Sequence, residues 1–213
     1  MNSKSIIYGN NISDKAIGTY ENILTYAKQI YPNHHLDFAT PKNIDSVLKS
    51  TKIPTIIIPL LLINGYEYST LKSKIDNINN LNITLTDPLL QNKKLQKYLF
   101  ENAPRQTIFL AHGSNNKQTQ NEYLDLESAS KNYGSFSFCY FLGFPNFKDT
   151  IESKLSEGEL INIKPLMFVS GKHINIDLKQ NFLQNLNQKE WELASCLGDD
   201  QTFIKKILQI FLK

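Results

Sequence analysis

Pro165-Leu166-Met167-Phe168-Val169-Ser170-Gly171 repeats, in spacing and character, the stretch Pro59-Leu60-Leu61-Leu62-Ile63-Asn64-Gly65, with the two prolines 106 positions apart. Each is an apolar run that closes on glycine. A run that stays apolar instead of alternating marks a strand covered on both faces, as in a parallel sheet with helices above and below. The first strand expected in each half also ends alike, in Gly9-Asn10-Asn11 and in Gly113-Ser114-Asn115-Asn116. Two matching strand-to-loop transitions predict a duplicated α/β architecture: two similar lobes, each a mostly parallel sheet flanked by helices.

The rest of the chain fits that plan. Ser5–Tyr8 reads as a strand, followed by a helix over Lys15–Ile30 with Ile17, Tyr20, Ile23, Leu24, Ala27 and Ile30 at helical spacing. After the break at Pro32, His35–Phe38 and Ile53–Leu62 read as strands, a helix follows Tyr68, and Ile83–Leu85 is a weak strand. Past Pro104 the pattern restarts. Strands are expected at Thr107–Ala111, Phe136–Tyr140, within Glu159–Val169 and at Trp191–Ser195. Between and after them fall helices at Gln118–Lys131, Phe147–Leu155, Leu178–Leu186 and Thr202–Leu212. Pro104 interrupts helix propagation, so the lobes are expected at 1–103 and 104–213.

Composition excludes several classes. With 23 basic and 20 acidic residues the net charge is +3, too small for a nucleic-acid partner, and no Lys/Arg stripe with interleaved aromatics is present. Cys139 and Cys196 are far apart and in no C-x-x-C arrangement, which points to reduced core thiols. The N-terminal residues hold no apolar segment long enough for a signal peptide, and the longest apolar run, Ile56–Ile63, is far short of a membrane span. A cytoplasmic protein without a membrane partner is expected; association into a homo-oligomer is left open.

Ligands of parallel α/β sheets bind beyond the carboxyl ends of the strands. His112 stands there, after Ile108-Phe109-Leu110-Ala111 and before Gly113-Ser114, and His173 stands two residues past Gly171. Imidazole binds borderline metals and accepts a proton near neutral pH, so two at one cleft form a candidate metal-handling, proton-accepting pair. The competing reading is two solvated loop residues. Asp177 reads as a helix cap, with orientation of His173 as the alternative role. His34 and His35 read as turn and strand-start residues, Glu67 as an exposed loop carboxylate, and Gly143-Phe144-Pro145 as a strand-to-helix turn. No Walker, dinucleotide or Ser-His-Asp pattern occurs.

Three stretches resemble a known family. They are Ile58-Pro59-Leu60-Leu61-Leu62-Ile63-Asn64-Gly65-Tyr66-Glu67-Tyr68, Phe109-Leu110-Ala111-His112-Gly113-Ser114, and Pro165-Leu166-Met167-Phe168-Val169-Ser170-Gly171-Lys172-His173 through Asp177. Together with Leu197-Gly198-Asp199 they resemble the class II tetrapyrrole chelatases of the anaerobic sirohydrochlorin cobaltochelatase (CbiK) type. The resemblance implies two α/β lobes around a cleft, with His112 and His173 as catalytic, metal-binding residues. It implies insertion of a divalent metal into sirohydrochlorin on the route to cobalamin, with no cofactor beyond that metal: cobalt, with nickel or iron as alternatives. Asn10, Gly65, Glu67 and Ser114 are expected to line the tetrapyrrole cleft, and Lys117 or Lys172 to meet its carboxylates.

The sequence departs from the family at three places. Leu142 stands where the family's third metal ligand, a glutamate, precedes the Gly-aromatic-Pro turn. Leu61 replaces a histidine, and Lys172 replaces the aspartate beside the second catalytic histidine. These changes keep a second expectation alive: a degenerate chelatase fold that binds a haem-like tetrapyrrole without inserting metal, one histidine serving as axial ligand. A periplasmic-type solute or metal carrier is the third reading.

Overall fold

The computed structural model describes residues 3–10, 13–78, 80–158 and 160–212. Asn11 of the first glycine turn and Glu159 at the head of an expected strand lie outside these. The elements run β1 (Lys4–Tyr8), α1 (Asp14–Ile30), β2 (His35–Ala39), α2 (Ile44–Ser50), β3 (Thr55–Pro59), α3 (Tyr66–Ile78), β4 (Ile83–Leu85) and α4 (Lys93–Glu101). They continue as β5 (Thr107–Gly113), α5 (Lys117–Ser130), β6 (Ser137–Leu142), α6 (Phe147–Ser156), β7 (Ile161–Leu166), a π-helix (His173–Gln180), β8 (Trp191–Leu193) and α7 (Gln201–Phe211).

The two sheets share one plan. Each is parallel and four-stranded, in the order β2-β1-β3-β4 and β6-β5-β7-β8, so the first strand of each half is central and the second lies outside it. The duplicated α/β fold expected from the paired proline runs is present. Pro59 lies opposite Tyr8 in the first sheet and Pro165 opposite Leu110 in the second.

Continuous apolar character in the central strand has the expected cause, helices on both faces. In β5, Ile108 and Leu110 pack with Cys139, Phe147, Ile151, Ile174 and Leu178 on one face. Phe109 turns to the other, against Phe100 of α4 at 5.5 Å, Phe136 at 5.3 Å and Phe138 at 5.1 Å between ring centroids. The first sheet packs Ile6, Tyr8 and Ile57 against Ile44, Leu48, Leu71 and Ile75 of α2 and α3. Side chains cap three helices: Ser13 Oγ accepts from the Ala16 amide, Asn116 Oδ1 from that of Thr119, and Asn146 Oδ1 from that of Lys148.

Several expectations shift. The strand expected over Ile53–Leu62 pairs only through Pro59; beyond it the carbonyls of Leu61 and Leu62 accept from Leu89 and Leu90 of a short 3₁₀ turn. Two helices went unread. α2 buries only Ile44 and Leu48, too few positions to establish a period, and α4 scatters Lys93, Lys94 and Lys97 among its apolar residues. By packing, the chain divides between Asn92 and Lys93, and α7 groups with the first unit. The division expected at 103/104 followed the proline, but Phe100 is buried against Phe109, which joins α4 to the second unit. Among the described residues no helix is long and apolar enough to cross a membrane.

Gly113 has φ +78°, and a Cβ there would lie 1.8 Å from the Leu142 carbonyl oxygen. Gly113→Ala therefore carries a left-handed penalty of about 1–2 kcal/mol plus a clash with backbone. Urea unfolding should show a lower midpoint with an unchanged slope. The buried thiol of Cys139 is pushed up to about 12 by desolvation. Stability from holding it neutral is complete below its ordinary value of 9.0 and is lost as pH rises toward about 12. Thermal melts from pH 8 to 12 should fall less steeply for Cys139→Ala than for the parent.

Candidate metal-handling site

The second sheet brings the two predicted histidines together. His112 is the penultimate residue of β5, on the Ile108–Leu110 side, and His173 opens the π-helix that packs on that same side through Ile174 and Leu178. Their ring centroids are 4.8 Å apart at 73°, edge to face. Two imidazoles sharing a first-row ion at about 2.1 Å in tetrahedral geometry have centroids roughly 5 Å apart, and the centroid separation of this pair is compatible with that arrangement.

Each ring has one nitrogen engaged. His173 Nδ1 lies 2.7 Å from Asp177 Oδ2, and His112 Nδ1 lies 3.1 Å from the Gly113 carbonyl oxygen. A carboxylate and a carbonyl only accept, so in the neutral rings Nδ1 carries the proton and Nε2 keeps its lone pair for a cation. The reading of Asp177 as a helix cap is thereby corrected. The helix begins at His173, not Leu178, so Asp177 lies inside it, one turn on from the histidine it holds. Wide helical turns of this kind are rare and are frequently found at functional sites.

The loop carrying His173 is fastened from behind. Leu197 and Gly198 donate from their amides to the carbonyls of Met167 and Phe168, at 2.9 and 2.7 Å. A Cβ on Gly198 would lie 2.4 Å from the Phe168 carbonyl oxygen, so this approach requires glycine.

Sequence reasoning missed Phe141. It lies on the His173 side of β6, its ring stacked on the imidazole at 4.9 Å and 29°. Leu142, its neighbour, lies on the other side of the strand. There it lines a cavity of about 240 Å³ with Gly113, Ser114, Tyr123, Tyr140 and Phe144. The position to which the resemblance assigns a glutamate therefore lies on the face away from Phe141. The available signals were the four-residue spacing of His173 and Asp177 and the alternation Cys139, Phe141 along β6.

The remaining predicted residues divide between the units. Ser114 follows the histidine strand, its Oγ accepting from the Asn116 amide at 3.0 Å. Asn10, Gly65 and Glu67 belong to the first unit. Asn10 Oδ1 accepts from the Tyr8 hydroxyl at 3.4 Å, and Glu67 is exposed in the first turn of α3 and not in a loop. Burial first, then the charge of Glu67, pushes the Tyr8 phenol up to about 12. With Pro59 and Pro165 matched, Asn10 falls where the second unit has His112, and Glu67 where it has His173. Lys172 and Lys117 are exposed, and the His34 ring packs edge-on to Tyr31 at 5.3 Å.

Over residues 17–212 the sequence matches the cobalt chelatase (CbiK) family. The chain belongs to that family. No curated protein matches it. Among solved structures it is similar to SirB from Bacillus subtilis with Fe3+, at 15% identity and a TM-score of 0.70, over 98% of this chain and 94% of that one. CbiX, the terminal enzyme for biosynthesis of siroheme in denitrifying bacteria, is similar at 14% identity and a TM-score of 0.66, over 100% of both chains. The sirohydrochlorin chelatase SirB from Bacillus subtilis subspecies spizizenii, in complex with cobalt, is similar at 13% identity and a TM-score of 0.68, over 99% of this chain and 93% of that one. At such identities these likenesses establish the fold.

Asp177→Ala removes the acceptor that fixes the His173 tautomer. Co2+ affinity, followed by calorimetric titration, should fall roughly 10- to 100-fold, with little change in thermal midpoint because Asp177 is partly exposed.

Proposed function

We propose that this chelatase inserts a divalent metal, cobalt by its family, into sirohydrochlorin during anaerobic cobalamin synthesis. The observation that carries this reading is the His112–His173 pair, 4.8 Å between centroids, with Nδ1 of each ring engaged and Nε2 left for a cation. Insertion requires the metal to shed water, the macrocycle to lie beside it, and two pyrrole N–H protons to leave. Imidazole suits both tasks, holding a borderline first-row metal and accepting a proton near neutrality. The metal is a substrate here, so nickel or iron can enter by the same chemistry. Ser114, two residues past His112, is assigned to the macrocycle's surroundings, and the exposed Lys117 and Lys172 to its carboxylates. Support for the substrate comes from the similar structures, one a sirohydrochlorin chelatase with cobalt and one a siroheme-forming enzyme.

One observation favours a second reading, a tetrapyrrole carrier that does not insert metal. Among the described residues no group of three His, Cys, Asp or Glu side chains could hold a metal ion. Mixing the protein anaerobically with sirohydrochlorin and Co2+, Ni2+ or Fe2+ separates the two. Insertion above the spontaneous rate, followed in the absorption spectrum and lost in His112→Ala and His173→Ala, is the expected result. A stable spectral shift on binding tetrapyrrole, with no metal-dependent turnover, would establish the carrier instead.

A further inference from the structure

We propose that Phe141 is a positioning residue for His173, an inference that rests on the metal-handling reading of the histidine pair. The bond from Nδ1 to Asp177 holds the imidazole at one atom, and a ring held at one atom can still pivot about that contact. Phe141 supplies the missing restraint by stacking on the imidazole, centroids 4.9 Å apart and planes inclined at 29°. The His112 ring stands 4.8 Å away, inclined at 73°, so three groups bound it: a carboxylate on Nδ1, an aromatic plane and the partner imidazole.

Phe141 is itself anchored in the core. Its ring packs on Phe147 at 4.8 Å, and Phe147 packs on Phe182 at 5.5 Å; both of these are buried. Phe141 is only partly buried and stands at the margin of that cluster, where its contribution to packing is smaller than theirs. An offset aromatic face fixes a flat ring in a way that a branched aliphatic group of similar volume cannot. Phe141 thus determines the plane of the imidazole, Asp177 determines which nitrogen is free, and together they direct Nε2.

The test compares Phe141→Leu, Phe141→Tyr, His173→Ala and Phe109→Leu as full-length proteins. Phe109 is buried on the other face of the sheet, so its replacement costs stability without touching a histidine. Each variant is titrated with Co2+ alone by visible absorption, and the imidazole ¹⁵N signals are recorded without metal. Phe141→Leu should lower Co2+ affinity about tenfold or more, the usual scale for groups that orient a metal ligand. It should also shift the His173 ring ¹⁵N signals, because a pivoting ring no longer keeps a fixed distance from the Asp177 carboxylate. Phe141→Tyr should stay within about twofold of the parent, and Phe109→Leu should lower the melting temperature with affinity and ¹⁵N signals unchanged. Parental affinity and ¹⁵N signals in Phe141→Leu, with His173→Ala impaired, would overturn the positioning role and leave the metal site standing. Equal losses in Phe141→Leu and Phe109→Leu would reduce the effect to general packing and overturn it too. Parental Co2+ binding in His173→Ala would remove the underlying metal reading and the inference with it.

Discussion

The ends of β5 and β6 meet at Gly113, where the chain turns with φ +78° and the Leu142 carbonyl occupies the space of a side chain. Only glycine permits that approach. Because Gly113 lies opposite Leu142 and Ala111 opposite Tyr140, the parallel register puts His112 beside Phe141, both on the face that receives the π-helix. A second close approach, Gly198 against the Phe168 carbonyl, fastens the loop through which His173 is presented. Two glycines thus set backbone separations, and the histidine geometry follows from them. The chemistry stands at the rim, while rigidity comes from below it. Phe100 and Phe109 are almost wholly buried, each a gain of about 1.5–3 kcal/mol on transfer.

The two sheets demonstrate how little a shared fold dictates. Strand order and the position of the proline are the same in both, yet only the second carries imidazoles at the ends of its central strands. The first has an amide at Asn10 and a carboxylate at Glu67, beside a phenol that stays neutral across the physiological range. Oxygen donors are harder ligands than imidazole and suit different cations. The duplication therefore preserved a scaffold while the chemistry at equivalent strand ends diverged.

What the sequence disclosed and what it withheld have a common physical origin. Buried β-strands announce themselves by unbroken apolar runs, so Thr107–Ala111 and the strand before Met167 were legible, and with them the residues at their ends. Short helices such as α2 have too few buried positions for a period to emerge. The partnership of His173 with Asp177 was legible only as the alternative to a helix cap, because the turn that joins them is a π-helix starting five residues before the expected helix. Phe141 was hidden for another reason. In the run Phe136-Ser137-Phe138-Cys139-Tyr140-Phe141, periodicity separates the faces but does not say which one meets a histidine. That requires knowing what crosses over the sheet, which is a long-range fact.

The lack of a third ligand among the described residues, which a carrier would share, is compatible on the proposed insertion reading with a metal in transit. Ions that stay in proteins are enclosed, commonly by four side chains, and their release is slow because every bond must break without replacement. An ion to be passed to a macrocycle needs the opposite arrangement: enough affinity to be collected, and open positions where incoming pyrrole nitrogens can bind before the imidazoles let go. Among the described residues the His112–His173 pair has no third side-chain ligand from His, Cys, Asp or Glu. The apolar Phe141 face and the Asp177 carboxylate orient one ring without adding a bond to the metal. Orientation lowers the cost of capture while coordination number governs release, so preorganised imidazoles with open coordination serve transfer better than a complete cage.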